Sequence, residues 1–220
     1  MRIYILSEMS MDGKITSGSN SSSKFFGNYL SEKEMMYIHK KRHNAQAIIV
    51  GKKTIDTDNP YLTDRYFGNE KLIRIIPSNS LDFDYSSHIF QDNKKTLIVT
   101  SKKNINNPKV DEIKKHGKKV EFIGETKVDF KGLKDYLENK LGLQEVIVEG
   151  GGTINSKLLE ADVIDGIEIL QFPFVVGGED TPTLVNGKGF GECVFPKFKL
   201  ENVNVKESFV SLYYSKSNYN

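Results

Sequence analysis

The stretch VIVEGGGTINSKLLEADVIDGI, residues 146–167, sets one carboxylate, Glu149, directly before three glycines, Gly150, Gly151 and Gly152. An apolar run precedes them and an amphipathic run follows, so the group falls where a strand ends and a helix begins. A helix start offers unpaired N–H groups and the positive end of the dipole, and glycine permits both a tight turn and the close approach of an anion. The stretch reads as a cradle for a pyrophosphate; the alternative is a tight strand-to-helix turn that binds nothing. An acid beside a phosphate site is awkward unless it serves a neighbouring ligand, which makes Glu149 an acceptor for hydroxyl or amino groups. The spacing is not G-x-G-x-x-G after a first strand, so the usual dinucleotide fingerprint is absent.

A second turn of this kind occurs in IIVGKKTIDTDNPYLTDR, residues 48–65. Gly51 is followed by Lys52, Lys53 and Thr54, two cations and a hydroxyl able to meet a phosphate. Asp56, Asp58, Asn59, Pro60, Leu62, Thr63 and Arg65 then form a loop dense in groups that could orient a polar ligand. The alternative is a solvated charged loop with a proline turn. His39 and His43 have a spacing seen in metal ligands, but the surrounding lysines and arginine repel a cation, and a solvated helix face is expected instead, with no metal.

Short β-rich runs must position these groups: Ile3 to Leu6, then 45–51, 72–76, 95–101, 119–124, 145–150 and 166–177. Helical patterns alternate with them. SEKEMMYIHKKRHN pairs Ser31 as N-cap with Glu34 as a capping box, DFKGLKDYLENKLG places Leu133, Leu137 and Leu141 on one face, and INSKLLEADVID is a third. Continuous apolar strands alternating with helices predict an α/β fold in a single domain, 1–220, with one central mixed, mostly parallel sheet flanked by helices on both faces. The tail VNVKESFVSLYYSK alternates as an antiparallel strand closing that sheet. Ligands should gather at the carboxyl ends of the strands.

Composition bounds the function. Thirty-one basic and twenty-nine acidic residues leave a net charge of +2, too little for a protein devoted to nucleic acid. No stretch approaches the ~20 apolar residues of a membrane span. The single cysteine, Cys193, excludes an internal disulfide framework and a multi-cysteine zinc site. A soluble, cytoplasmic protein is expected.

Three motifs in order, MSMDGKI at 9–15, KKRHNAQAIIVGKKTIDTDNPYLTDR at 40–65 and VEGGGTINSKLLEADVIDGIEILQFPFVVGGEDTPTLVNGKGF at 148–190, resemble the pyrimidine reductase family of riboflavin biosynthesis. The resemblance is to a stand-alone reductase, since the fused deaminase would need a P-C-x-x-C zinc site. It implies a dihydrofolate-reductase-like fold, a homodimer, and NADPH-dependent reduction of the ribosyl group of a pyrimidine ribosylamine 5′-phosphate to ribityl. It also implies that Thr54, Gly150, Gly151, Gly152, Thr153 and Ile154 line the cofactor and that Asp58 lies near nicotinamide and substrate. Arg42, Leu62, Arg65 and Glu149 would contact the substrate. Asp58 and Glu149 would orient hydroxyls or relay the proton that accompanies the hydride. Lys52, Lys53 and Ser101 with Lys102 are our candidates for cofactor phosphates. Asp12 matches a family turn and could equally be a structural Asx turn. The chain departs in having no tryptophan and in offering SKFFGNYLS before its first helix. Dihydrofolate reductase itself, or a nucleotide-binding sensor without catalysis, are the alternatives. No residue distinguishes a diaminopyrimidinone from an aminouracil ring.

Overall fold

The computed structural model describes residues 1–191 and 195–217, so Cys193 lies outside the described residues. Nine strands form one sheet in the order β5-β4-β3-β2-β6-β1-β7-β9-β8. They are β1 (Arg2–Ser10), β2 (Ala47–Ile49), β3 (Ile73–Pro77), β4 (Thr96–Thr100), β5 (Lys119–Phe122), β6 (Glu145–Val148), β7 (Gly166–Phe172), β8 (Phe198–Val205) and β9 (Val210–Lys216). The first seven pair in parallel, while β9 runs antiparallel to both β7 and β8. The chain steps outward from β2 to β5 and returns to lay β6 between β2 and β1, so the carboxyl ends of β1, β2 and β6 meet where the strand order reverses.

Strand alternation divides the apolar residues between two cores, one on each face. Tyr4, Leu6, Ile48 and Ile147 face one, with Phe26 and Phe172. Ile3, Ile5, Ile49, Val146 and Val148 face the other, beneath Leu133 and Leu158. The covering helices are α1 (Glu32–Asn44), α2 (Lys52–Asp58), α3 (Pro108–Lys115), α4 (Phe130–Asp135) and α5 (Gly152–Glu160). The capping box forms as the sequence indicates: Ser31 Oγ accepts from the Glu34 amide, and the Glu34 carboxylate accepts from the Ser31 amide.

Three elements differ from expectation. The run at 166–177 is strand only to Phe172, because Pro173 interrupts the ladder. Its aromatic part is core of this chain, with Phe26 packed on Phe172 and Phe174. Leu141 does not join Leu133 and Leu137 in the core; α4 gives way to a wider π turn at Tyr136–Lys140, and Leu141 is 37% exposed. The alternating tail straddles a hairpin, since the Lys206 amide donates to the Phe209 carbonyl and reverses the chain between β8 and β9.

Arg74 on β3 is the largest fully buried side chain among the described residues. Its guanidinium donates to Thr96 Oγ1 at 3.0 Å, to the carbonyls of Tyr61 and Lys94 at 3.1 and 3.2 Å, and to both oxygens of Asp92. The bond to Tyr61 ties the loop after α2 to the sheet. Lys118 lies 3.6 Å from the same carboxylate, so Asp92→Ala would leave two cations facing each other. The predicted loss is on the order of 3 kcal/mol of unfolding free energy by denaturant titration, and a loss below about 0.5 kcal/mol would contradict it.

Candidate active site

The two glycine turns lie side by side because β2 and β6 are neighbours. The Gly51 amide donates to the Gly150 carbonyl at 2.8 Å, and the Gly151 amide donates to Thr54 Oγ1 at 3.1 Å. Gly150 has φ +87, a conformation that side-chain-bearing residues rarely adopt. At Gly152 an added Cβ would fall 2.3 Å from the Thr183 carbonyl oxygen and 2.6 Å from Asn186 Oδ1. α5 therefore starts on small residues pressed against the 183–186 loop, and no side chain caps its first-turn amides. A helix start without a side-chain cap suits an anion.

Above the turns lies a cavity of about 760 Å³, of the size that holds small ligands and cofactors. Its wall includes Arg42, Lys52, Lys53, Thr54, Asp58, Leu62, Arg65, Glu149, Gly151, Gly152, Thr153 and Ile154. The structure thus brings together nearly all the residues singled out from the sequence. Gly150 is buried just behind Gly151. Ser78, Asn79 and Ser80, past the end of β3, also contribute. Ser101 does not: it is 1% exposed, outside the cavity wall, with its Oγ unbonded, and Lys102 beside it pairs with Glu125. These two residues follow β4, which lies beyond β3 from the β2–β6 junction, and that distance across the sheet removes them from the candidate set.

Glu149 meets protein where a ligand was expected. Arg42 Nε and Nη2 donate to its two oxygens at 2.6 and 2.7 Å, and Arg42 Nη1 donates to the Thr63 carbonyl at 3.2 Å. Burial works against the Arg42 charge, yet the attraction of Glu149 outweighs it and holds the guanidinium pKa above its ordinary value. The two residues face the cavity as a neutralised pair. Asp58 ends α2 with its carboxylate accepting from Ser23 Oγ at 2.7 Å. Lys52 is engaged with Asp56 at 2.6 Å, whereas Lys53 on the rim makes no ion pair among the described residues.

His39 corrects the expectation of a solvated face. It is fully buried, its Nδ1 accepts from the Arg65 amide at 3.2 Å, and its Nε2 lies 3.5 Å from the Arg65 guanidinium. Burial, then the charges of Arg42 and Arg65, lower its pKa to about 4, so it is a neutral acceptor that sets the Arg65 backbone. Asp64 is the other brace, accepting from the amides of Tyr66, Phe67 and Asn69, each at 3.1 Å. Asp12 proves structural: it accepts from Ser10 Oγ and from the amides of Val176 and Gly177. No cluster suited to a metal ion occurs among the described residues.

One acidic residue of the cavity wall went unnoticed in the sequence. Glu8 stands on β1, and burial, reinforced by Glu149 and Asp58 and opposed by Arg42, raises its pKa from 4.5 to about 7. An acid inside the apolar run IYILSEMS was the available signal.

The chain matches the RibD C-terminal domain family over residues 2–209 and belongs to it. The 2,5-diamino-6-ribosylamino-4(3H)-pyrimidinone 5′-phosphate reductase of Aquifex aeolicus is 34% identical over 188 residues, 86% of this chain and 84% of that protein. The protein of the same name from Archaeoglobus fulgidus is 30% identical over 202 residues, 86% of this chain and 89% of its own. Among solved structures, the pyrimidine reductase-like protein of Corynebacterium diphtheriae superposes with a TM-score of 0.77 at 18% identity, covering 99% of this chain and 92% of that one. A deaminase/reductase of Thermotoga maritima gives 0.76 at 21% identity, and this chain covers 56% of it. The fold is dihydrofolate-reductase-like.

Two predictions follow from the charges. Arg42→Met and Glu149→Gln should each cost about 3 kcal/mol of stability, and the double variant should cost less than their sum by about 1.5 kcal/mol or more; additive losses would contradict the pairing. Glu8 binds its proton more firmly folded than unfolded, so its contribution to stability is complete below about pH 4.5 and is lost as pH rises through about 7. That contribution is at most roughly 3 kcal/mol. Glu8→Gln should flatten unfolding free energy against pH over this window, and an unchanged slope would contradict the assignment.

Proposed function

We propose that the chain is an NADPH-dependent reductase that converts the ribosyl group of 2,5-diamino-6-ribosylamino-4(3H)-pyrimidinone 5′-phosphate to ribityl, in riboflavin biosynthesis. The observation that carries the reading is the single cavity joining the glycine turn at the start of α5 to the Arg42, Asp58, Arg65 and Glu149 cluster. Family membership and the named activity of relatives support the substrate, three 2,5-diamino-6-ribosylamino-4(3H)-pyrimidinone 5′-phosphate reductases being 34%, 30% and 29% identical.

The residues fit a nicotinamide dinucleotide phosphate. The uncapped amides of α5, with Thr153 exposed beside them, suit the pyrophosphate, and Gly152 leaves no room for a side chain on the opposite side. Thr54 holds the Gly151 amide and so keeps the turn in shape. Lys53, on the rim and in no ion pair among the described residues, suits the additional phosphate that distinguishes NADPH. When bound, the cofactor supplies the hydride.

The chain supplies binding and orientation. Arg65, exposed toward the cavity with its backbone held by His39, binds the substrate phosphate. The Arg42–Glu149 pair presents donor and acceptor edges to ribose hydroxyls or the pyrimidine ring, and Asp58 accepts from a sugar hydroxyl as it accepts from Ser23. Leu62 closes the apolar side. The resemblance also leads us to propose a homodimer acting in the cytoplasm; no described helix is long and apolar enough to cross a membrane.

The test is NADPH oxidation with each of the two pyrimidine ribosylamine phosphates. Turnover is expected with the diaminopyrimidinone. Turnover with dihydrofolate alone, or NADPH binding without turnover, would overturn the proposal in favour of a different reductase or a sensor. Arg65→Ala should raise substrate KM about 10- to 100-fold, with NADPH affinity nearly unchanged, for loss of a charge-assisted contact of roughly 1.5–3 kcal/mol. An unaltered KM would remove Arg65 from phosphate binding.

A further inference from the structure

Reduction of a cyclic ribosylamine consumes a proton as well as a hydride, and the placement of the cavity's acids bears on its source. Three carboxyl groups line the wall, those of Glu8, Asp58 and Glu149. Both oxygens of Glu149 accept from Arg42, and Asp58 accepts from Ser23 Oγ. The carboxyl group of Glu8 has no hydrogen bond or ion pair among the described residues.

Its position follows from the strand ends. β1 pairs with β6 only as far as Ile5 opposite Val148, after which β6 ends at the Glu149 turn. β1 continues along β7, with Glu8 opposite Leu170, another residue of the cavity wall. Glu8 thus stands on the stretch of β1 from which its parallel neighbour has turned away, facing the gap. Tyr4 and Leu6 on the same face of β1 are core.

We infer that Glu8 is the catalytic acid, donating its proton to the ribose ring oxygen as the ring opens; this deepens the reductase reading and rests on it. The C1′–O4′ bond breaks, and its electron pair goes to O4′, which takes the Glu8 proton. The nitrogen lone pair forms the C1′=N bond. The iminium carbon would then take the hydride that a bound nicotinamide supplies on its oxidation, and the Glu8 carboxylate would regain a proton from bulk solvent. The charged groups that face Glu8 keep it available as an acid: Glu149 beyond β6 and Asp58 at the end of α2 repel a carboxylate, while Arg42 of α1 attracts it but is bound to Glu149. Burial disfavours the ionised form further, and the group carries its proton up to about pH 7.

The test compares wild type, Glu8→Gln and Glu8→Asp. Wild-type kcat should fall as pH rises through about 7, because the protonated form is the active one. Glu8→Gln should lower kcat about 100-fold or more at about pH 6 and abolish that limb, with NADPH affinity, read by quenching of nucleotide fluorescence, within about 3-fold of wild type. Glu8→Asp should restore part of kcat together with a pH limb. In the cofactor-free protein, infrared difference spectra should show a protonated carboxyl band that titrates near neutrality and is missing in Glu8→Gln. A Glu8→Gln protein that keeps kcat within about 5-fold and retains the limb, or the lack of that band in wild type, overturns the inference and leaves the reductase reading standing. A wild type that turns over neither pyrimidine overturns both.

Discussion

The site depends on one local constraint: two neighbouring parallel strands end together and are stitched to each other at their ends. The Glu149 amide donates to the Ile49 carbonyl at 3.0 Å and the Gly51 amide to the Gly150 carbonyl at 2.8 Å, so β2 and β6 leave the sheet as a unit. Two helices must then start within a few ångströms of each other, and only small residues allow it. Gly150 adopts a φ of +87, and Gly152 packs against backbone where no Cβ fits. The same stitching fixes Glu149 at the mouth, within reach of Arg42 on α1. The carboxylate before the glycines is therefore a structural partner within the cavity wall.

Charge is divided across the cavity in a way that suits two anionic ligands. The wall includes the start of α5 and Lys53, and also Arg65, set by a neutral, buried His39. Between them the acids are balanced unequally, Glu149 by a direct ion pair with Arg42, Asp58 by a hydroxyl, and Glu8 by the attraction of Arg42 alone, with no hydrogen bond or ion pair to its carboxyl group among the described residues. Burial magnifies each of these differences, since charges interact more strongly away from bulk water.

Local signals in the sequence were sufficient for what local forces decide. The capping box of Ser31 and Glu34, the glycine turns and the alternation of apolar strands with helices all act within a few residues, and each is found where the pattern places it. What escaped depends on distant partners. Arg42 and Glu149 are 107 positions apart, and nothing in either segment announces that one neutralises the other. His39 reads as part of a charged helix face, but α1 turns it inward onto Asp64 and the Arg65 backbone. Ser101 follows an apolar strand much as Thr54 does, yet β4 lies too far across the sheet for it to reach the cavity. Leu141 keeps helical spacing on paper and loses it to a π turn.

The central claim is that this cavity holds a reduced nicotinamide against C1′ of a phosphorylated pyrimidine ribosylamine. The most direct measurement is the fate of deuterium carried at the transferring C4 position of NADPH during turnover with the diaminopyrimidinone substrate. The account predicts deuterium at C1′ of the ribityl product and none there when the label is supplied only as deuterated water. Solvent deuterium at C1′, or product without label from the cofactor, would contradict it.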